Sequence, residues 1–168
     1  MPDDSFVQQL LTCCGNRRPT RDDMPVRLHA CRKLCPAVQA WLSDKDSTYG
    51  PDSEPVRLID LLMRAADPDP FQFAKNLERL GWSPDRDLTE ALTTYASCLE
   101  TALADAERAW VSATGFPTRA AKGDRVMAFR SDTNRVQGYI VDRDPERARV
   151  SVRPTSPDEN VTETISIP

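Results

Sequence analysis

The chain has 168 residues, of which 39% are hydrophobic and 29% charged, and its formal net charge at pH 7 is −4. This composition is typical of a globular protein, and the length allows a buried core that needs neither a metal ion nor a disulfide. Residues 1–116 carry 18 acidic and 13 basic side chains, an imbalance that disfavours general nucleic-acid binding as the role of this part.

The first two thirds of the chain are predicted to form an α-helical bundle of about five helices. Apolar residues recur there at three- and four-residue steps, between segments rich in turn-forming residues. The first four helices are predicted to begin near Ser5, Pro25, Pro55 and Pro70. Asp69 is predicted to cap the fourth helix. A fifth, uninterrupted helix of about 29 residues is predicted between Pro84 and Gly115, a rod of roughly 43 Å at 1.5 Å per residue.

After Pro117 the hydrophobic period changes from about 3.6 to 2, and β-branched or aromatic residues alternate with polar ones. Four strands are predicted within residues 123–130, 135–144, 147–154 and 160–167. Their spacing is too short for crossover helices, so an antiparallel meander is expected. The predicted fold class is therefore α+β, with a helical domain over 1–115 and a β domain over 117–168.

The β domain has three features in common with a known class of small barrels. Lys122-Gly123-Asp124 begins it, Gly138 lies early in the second strand, and the turn DRDPERA precedes the third strand. In these features it resembles the SH3-like barrels of the Tudor and KOW type, over less than a third of the chain. The resemblance implies a closed barrel that binds peptides, modified side chains or nucleic acid. Phe129 and Tyr139 are the candidate aromatic residues for such binding.

Arginine side chains dominate one predicted face of the β domain. Alternation along the third strand places Val150 and Val152 on one side and arginines on the other. The candidate binding residues are Arg130, Arg135, Arg147, Arg149 and Arg153. Guanidinium groups suit phosphates or an acidic protein surface. The alternative interpretation is a solvated strand face whose charge is balanced by neighbouring acidic residues.

The three tryptophans are expected to pack in the core or between the domains. Trp41 follows the apolar stripe of the second helix, and Trp82 follows the end of the fourth. Trp110 lies near the end of the predicted long helix, and Phe116 comes just after it. Trp110 and Phe116 are therefore the predicted interdomain contacts.

Four of the five cysteines and the only histidine lie between residues 13 and 35. A metal site would use Cys14, His29, Cys31 and Cys35, although the chain has no CxxC pair of the kind common in zinc sites. The preferred interpretation is core packing, because Cys31 and Cys35 continue an apolar stripe with Leu28. Pro36 is expected to kink or break the helix at this point.

The sequence contains none of the common phosphate-binding, zinc-protease or serine-hydrolase motifs, and one histidine limits acid/base schemes. We therefore expect a protein without catalytic activity or cofactor, an adaptor or accessory subunit of a larger protein complex. The alternatives are a nucleic-acid-binding accessory factor that uses the arginine face, and a small metal-binding module on the N-terminal cysteines.

The chain has no apolar stretch near the roughly 18 residues that span a bilayer, and its first residues are acidic rather than basic. We expect a cytoplasmic protein with reduced cysteines and no membrane contact. Its partners are expected to be larger proteins, with nucleic acid as the alternative. The pattern does not specify an oligomeric state.

Overall fold

The structure is a computed structural model that describes residues 4–15, 17–44, 55–114, 121–129, 135–155 and 163–166. The described residues form six α-helices followed by a four-stranded antiparallel sheet. The predicted α+β class is therefore confirmed. The chain divides into two compact units, Met1–Ala106 and Glu107–Pro168. This division lies inside the last helix, earlier in the chain than the predicted boundary at residues 115 to 117.

The helices begin close to the predicted starts. They are α1 (Asp4–Cys14), α2 (Met24–Asp44), α3 (Pro55–Ala65), α4 (Pro70–Arg79), α5 (Arg86–Leu92) and α6 (Tyr95–Thr114). The predicted cap of α4 is present, because the Asp69 carboxylate accepts hydrogen bonds from the backbone N–H groups of Phe71 and Gln72. Pro70 occupies the first turn of α4. A backbone N–H in this turn has no acceptor within the helix, so proline, which has no N–H, costs no helical hydrogen bond there.

The core of the helical unit lies around α2, which packs against α1, α3 and α5. Every helix of this unit contributes side chains that are withdrawn from water. The fully buried ones include Leu10, Val38, Leu62, Leu77, Leu88 and Ala102. Each large aliphatic side chain buried in this way stabilises the fold by about 1.5 to 3 kcal/mol. Two aromatic pairs add to this core: Trp41 stacks on Trp82 at 6.1 Å, and Phe73 meets Tyr95 edge to face.

The prediction of one uninterrupted fifth helix is wrong. The segment forms α5 and α6, with a turn at Thr93 and Thr94 between them. Both threonine hydroxyls donate to carbonyl oxygens three residues earlier, those of Glu90 and Ala91. The threonine N–H groups donate to the same two carbonyls, which is the tighter pattern of a 3₁₀ turn. Adjacent threonines thus divert the backbone hydrogen bonds of this turn, which hydrophobic spacing alone does not reveal.

Helix α2 does not break at Pro36, contrary to one of the outcomes expected from the sequence. Proline removes the hydrogen bond to the carbonyl of Arg32. Both Arg32 and Pro36 are exposed, so water can take the place of the missing donor. The apolar stripe therefore continues along α2, from Cys31 and Cys35 to Val38 and Trp41.

The sheet is a meander in the order β1-β2-β3-β4, as predicted. Its strands are β1 (Arg125–Phe129), β2 (Arg135–Asp144), β3 (Arg149–Pro154) and β4 (Glu163–Ser166). The register of β2 against β3 shifts between Ile140 and Asp142, which marks a bulge. Ile140, Val150 and Val152 form a buried cluster, and the partly buried Val126 packs against it. In the described strands β1 and β4 occupy the two edges.

Among the described residues, every helix lacks either the length or the apolar character that crossing a bilayer requires.

Gly138 of β2 lies opposite Pro154 of β3. A Cβ atom added at this position would overlap the backbone carbonyl of Arg153 and the side chain of Val152. The backbone of a paired strand cannot move aside without losing ladder hydrogen bonds. The requirement for glycine here is therefore steric.

Replacing Gly138 with alanine is expected to destabilise the sheet unit by about 1 to 3 kcal/mol, because the added methyl group overpacks the β2–β3 contact. Urea unfolding followed by circular dichroism measures the change. Asp142→Ala, at an exposed position of the same strand, is the control and is expected to stay within about 0.5 kcal/mol of wild type. Equal stability of Gly138→Ala and wild type would contradict the packing described here.

Candidate functional site

The side of the sheet opposite the buried valines carries a row of exposed side chains. In the register, Arg125 of β1 pairs with Tyr139 of β2, and Tyr139 pairs with Arg153 of β3. Directly opposed Cβ atoms in antiparallel strands lie about 4.5 to 5.5 Å apart. One aromatic side chain is therefore flanked by a guanidinium-bearing residue on each side. We call these three residues the Arg-Tyr-Arg row.

Exposed apolar area lies beside the row. Met127 is 52% exposed and Tyr139 is 44% exposed, and both are among the large hydrophobic side chains that the fold leaves in water. Met127 pairs with Gln137 on the adjacent position of the same face. Gln137 in turn accepts a 2.9 Å hydrogen bond from Nη2 of Arg125. Along this row the outer face thus carries an aromatic ring flanked by two cationic side chains, with Met127 and Gln137 beside them.

The two charges of the row are available for a partner. Arg125 and Arg153 are exposed, and within the described residues neither forms an ion pair. Each guanidinium has five N–H donors, and the hydrogen bond from Arg125 to Gln137 uses one of them, so donors remain for a partner. The arrangement can therefore bind carboxylates or phosphates while the tyrosine ring supplies contact area.

Arg147 and Arg149, predicted from the sequence as binding residues, instead have an internal partner. Glu107, at the start of the second unit, is 1% exposed. Its Oε2 accepts from Nε of Arg147 at 2.6 Å, and its Oε1 accepts from Nη2 of Arg149 at 2.6 Å. Both arginine side chains are less than a quarter exposed. Glu107 therefore compensates one of their two positive charges inside the unit.

The other residues predicted for this surface are distributed as follows. Arg153 and Tyr139 belong to the Arg-Tyr-Arg row. Phe129 of β1 pairs with Arg135 of β2 in the register, so the backbones of these two residues lie opposite each other. Arg130 lies outside the described residues. Arg125 was not among the predicted residues, because only the register of β1 against β2 places it beside Tyr139.

The predicted interdomain residues are only partly described. Trp110 is 2% exposed and belongs to the second unit, and Phe116 lies outside the described residues. Trp41 and Trp82 are core residues of the first unit, and Nε1 of Trp41 donates to the Asp85 carboxylate at 2.9 Å. The interdomain role of Trp110 stays a prediction.

The four residues of the predicted metal set occupy separate environments. Cys31 and Cys35 are buried on α2, and burial raises the pKa of the Cys31 thiol to about 12. The His29 ring stacks on Phe6 at 4.5 Å, and its Nε2 lies 3.2 Å from the carboxylate of Asp105. Cys14 lies at the end of α1. Core packing accounts for Cys31 and Cys35.

A different group of metal-ligating side chains does come together. The sulfur atoms of Cys13 and Cys14 and a carboxylate oxygen of Asp23 lie within 4.8 Å of one another. Among the described residues, this is the one group of three or more His, Cys, Asp or Glu residues whose ligand atoms all lie within that distance of one another. The predicted metal set contained only Cys14 of this adjacent pair, and the contribution of Asp23 depends on a loop that brings the start of α2 back to the end of α1.

The protonation of this cluster follows from its contacts. Burial, and next the negative charge of Asp23, raise the pKa of the Cys14 thiol to about 12, so this thiol is protonated at neutral pH. Burial alone would raise the pKa of Asp23. The hydrogen bonds from Arg17 and Thr20 outweigh burial, so the carboxyl pKa lies below its usual value and the group is ionised.

Comparisons of the chain with models of protein families, with curated proteins and with solved structures gave no significant match.

The Glu107 interaction can be tested by truncation. Glu107→Ala leaves two arginines without their buried carboxylate and is expected to destabilise the second unit by about 3 kcal/mol or more. Chemical denaturation measures the loss. The control is Glu100→Ala on the same helix, because Glu100 also pairs with an arginine, Arg21, but is half exposed. Exposed pairs contribute at most about 1 kcal/mol, and an equal loss in both variants would contradict the buried role.

Thiol labelling tests the core interpretation of α2. In native, metal-free protein, iodoacetamide is expected to modify the exposed Cys13 first and the fully buried Cys31 last, since only the accessible thiolate reacts. Peptide mass spectrometry after timed quenching gives the order. Labelling of Cys31 as fast as that of Cys13 without denaturant would show that α2 does not bury its cysteines.

Proposed function

We propose that this chain is a non-catalytic interaction protein, an accessory subunit that docks on a larger protein through the outer face of its sheet. The observation that carries the proposal is the Arg-Tyr-Arg row, an exposed ring between two arginines beside the exposed Met127. Tyrosine, methionine and arginine are enriched at protein interfaces, and tyrosine and arginine are frequent hot-spot residues.

The charge of the row indicates the chemistry of the partner. Arg125 and Arg153 place one positive charge on each side of the tyrosine, although the net charge of the chain is negative. A matching surface would carry acidic side chains around an apolar centre, because complementary potentials speed association and exclude other partners. The proposed occupant is therefore an acidic segment of a partner protein.

We also propose that the sheet belongs to a closed SH3-like barrel. Three features support this: the strands follow one another as a meander, β2 carries a bulge at Ile140, and Ala148 adopts a left-handed conformation before β3. Bulges and local kinks of this kind increase the twist and bend that closure of a small sheet requires. A barrel of this class would present the outer face of β1 to β3 as its binding surface.

Nucleic-acid binding is the second candidate, and the same row favours it. Single-stranded nucleic acids bind to proteins by stacking bases on aromatic rings and by placing phosphates near basic side chains. Tyr139 between two arginines offers one such stacking position. The compensation of Arg147 and Arg149 by Glu107 reduces the basic area that remains for phosphates, so a protein partner ranks first.

The double variant Tyr139→Ala with Arg153→Glu tests the proposed face. Loss of a tyrosine hot spot costs about 2 kcal/mol or more, which is roughly 30-fold in affinity. Tagged full-length protein, expressed in its source organism, is expected to retain a stoichiometric partner that the double variant loses. Arg32→Glu reverses a charge at an exposed position of α2 and is expected to retain the partner.

A synthetic acidic segment of the recovered partner should then bind the wild-type protein and not the double variant. Equal recovery by wild type and double variant would contradict docking through this face. Fluorescence anisotropy with single-stranded DNA and RNA measures the second candidate. Binding whose salt slope falls by about one when Arg153 is removed would favour nucleic acid over a protein partner.

A further inference from the structure

The cluster of Cys13, Cys14 and Asp23 lies in the first unit, apart from the residues of the proposed docking face. Cys13 and Cys14 end α1, and Asp23 immediately precedes α2. Cys13 is exposed, Cys14 is buried and Asp23 is half-buried. The ligand atoms therefore face one another at the protein surface, where an ion has direct access from solvent.

The connection between α1 and α2 holds the cluster together. Gly15 has a φ of 57°, the left-handed conformation that ends helices and favours glycine. Its N–H donates to the carbonyl of Leu11 at 2.8 Å. Further along, the N–H and hydroxyl groups of Thr20 donate to Oδ2 of Asp23 at 2.6 and 3.1 Å. These bonds orient the Asp23 carboxylate toward the end of α1, so this ligand is in position before any ion arrives.

A positive charge already occupies the cluster. Nη2 of Arg17 donates to Oδ1 of Asp23 at 2.5 Å and lies 4.0 Å from the Cys14 sulfur. The carbonyl groups at the carboxyl end of α1 add further negative potential at this position. The side chain of Arg17 is 53% exposed, so it can move into solvent without breaking the core. The site thus accepts a cation, and its present cation is the guanidinium of a half-exposed side chain.

We propose that Cys13, Cys14 and Asp23 bind a thiophilic divalent cation of the zinc class, which displaces the Arg17 guanidinium, with water as the fourth ligand. Two sulfurs and one carboxylate oxygen form a donor set that zinc accepts in tetrahedral geometry and that magnesium and calcium do not prefer. Zn–S bonds of about 2.3 Å require the ligand atoms to approach to roughly 3.8 Å. Rotation of the exposed Cys13 side chain supplies that approach. Each thiol releases its proton to solvent on binding.

Cobalt(II) is the probe for this site, because its absorption reports both ligand type and geometry. Reduced full-length protein, purified without added metal, is expected to develop thiolate-to-cobalt charge-transfer bands and the intense visible bands of a tetrahedral ion. One equivalent of zinc should remove both sets of bands. Zinc should also protect Cys13 from iodoacetamide, and leave the labelling of Cys98 unchanged.

Variants separate this site from adventitious thiol binding. Cys13→Ser, at an exposed position that should not affect folding, and Cys14→Ser are each expected to abolish the charge-transfer bands. Cys98→Ser, which removes a cysteine outside the cluster, is expected to leave the bands intact. Arg17→Gln is expected to tighten cobalt and zinc binding at least several-fold, because it removes the competing cation without removing a ligand.

The proposal would be overturned by absence of charge-transfer bands in the wild-type protein, or by loss of binding in Cys98→Ser equal to that in Cys13→Ser. Weaker binding in Arg17→Gln would also contradict it, since the arginine would then support the ion rather than compete with it. Circular dichroism of each variant confirms that it is folded. The outcome is independent of partner docking, because none of these variants alters the Arg-Tyr-Arg row.

Discussion

The second unit is organised around one buried carboxylate. Glu107 is almost completely withdrawn from water, and an isolated carboxylate in that position would cost several kcal/mol. Arg147 and Arg149 both donate to it. Arg147 ends a short 3₁₀ helix (Pro145–Arg147), and the left-handed Ala148 turns the chain from this helix into β3, which begins at Arg149. The carboxylate thus links the second part of α6 to the start of β3 through charge-assisted hydrogen bonds.

This interaction divides the arginines of the sheet into two groups with different roles. Arg147 and Arg149 complete the internal network, whereas Arg125 and Arg153 are exposed beside Tyr139. The same residue type is therefore structural at one end of β3 and accessible at the other. A binding surface built from the accessible pair is small, with an aromatic ring flanked by two cationic side chains. This is the basis for proposing an acidic protein segment as its partner.

The cysteines show a similar division by environment. Cys31 and Cys35 follow the apolar stripe of α2, and the spacing within that one helix was sufficient to predict their burial. The group formed by Cys13, Cys14 and Asp23 joins the end of one helix to the start of another. Its formation depends on the path of the intervening loop and on the hydrogen bonds of Thr20, and helical spacing contains no information on either.

Hydrophobic periodicity, helix caps and turn residues determined the α+β class, the starts of the first four helices, the four strands and the meander order. These are local properties, because burial of one face imposes the period of each element. The tertiary structure decided which charges meet. It paired Glu107 with two arginines distant in sequence, placed Arg125 beside Tyr139 through strand register, and brought Asp23 to the end of α1. Contacts between elements depend on how the elements pack, and residue spacing within an element does not encode that packing.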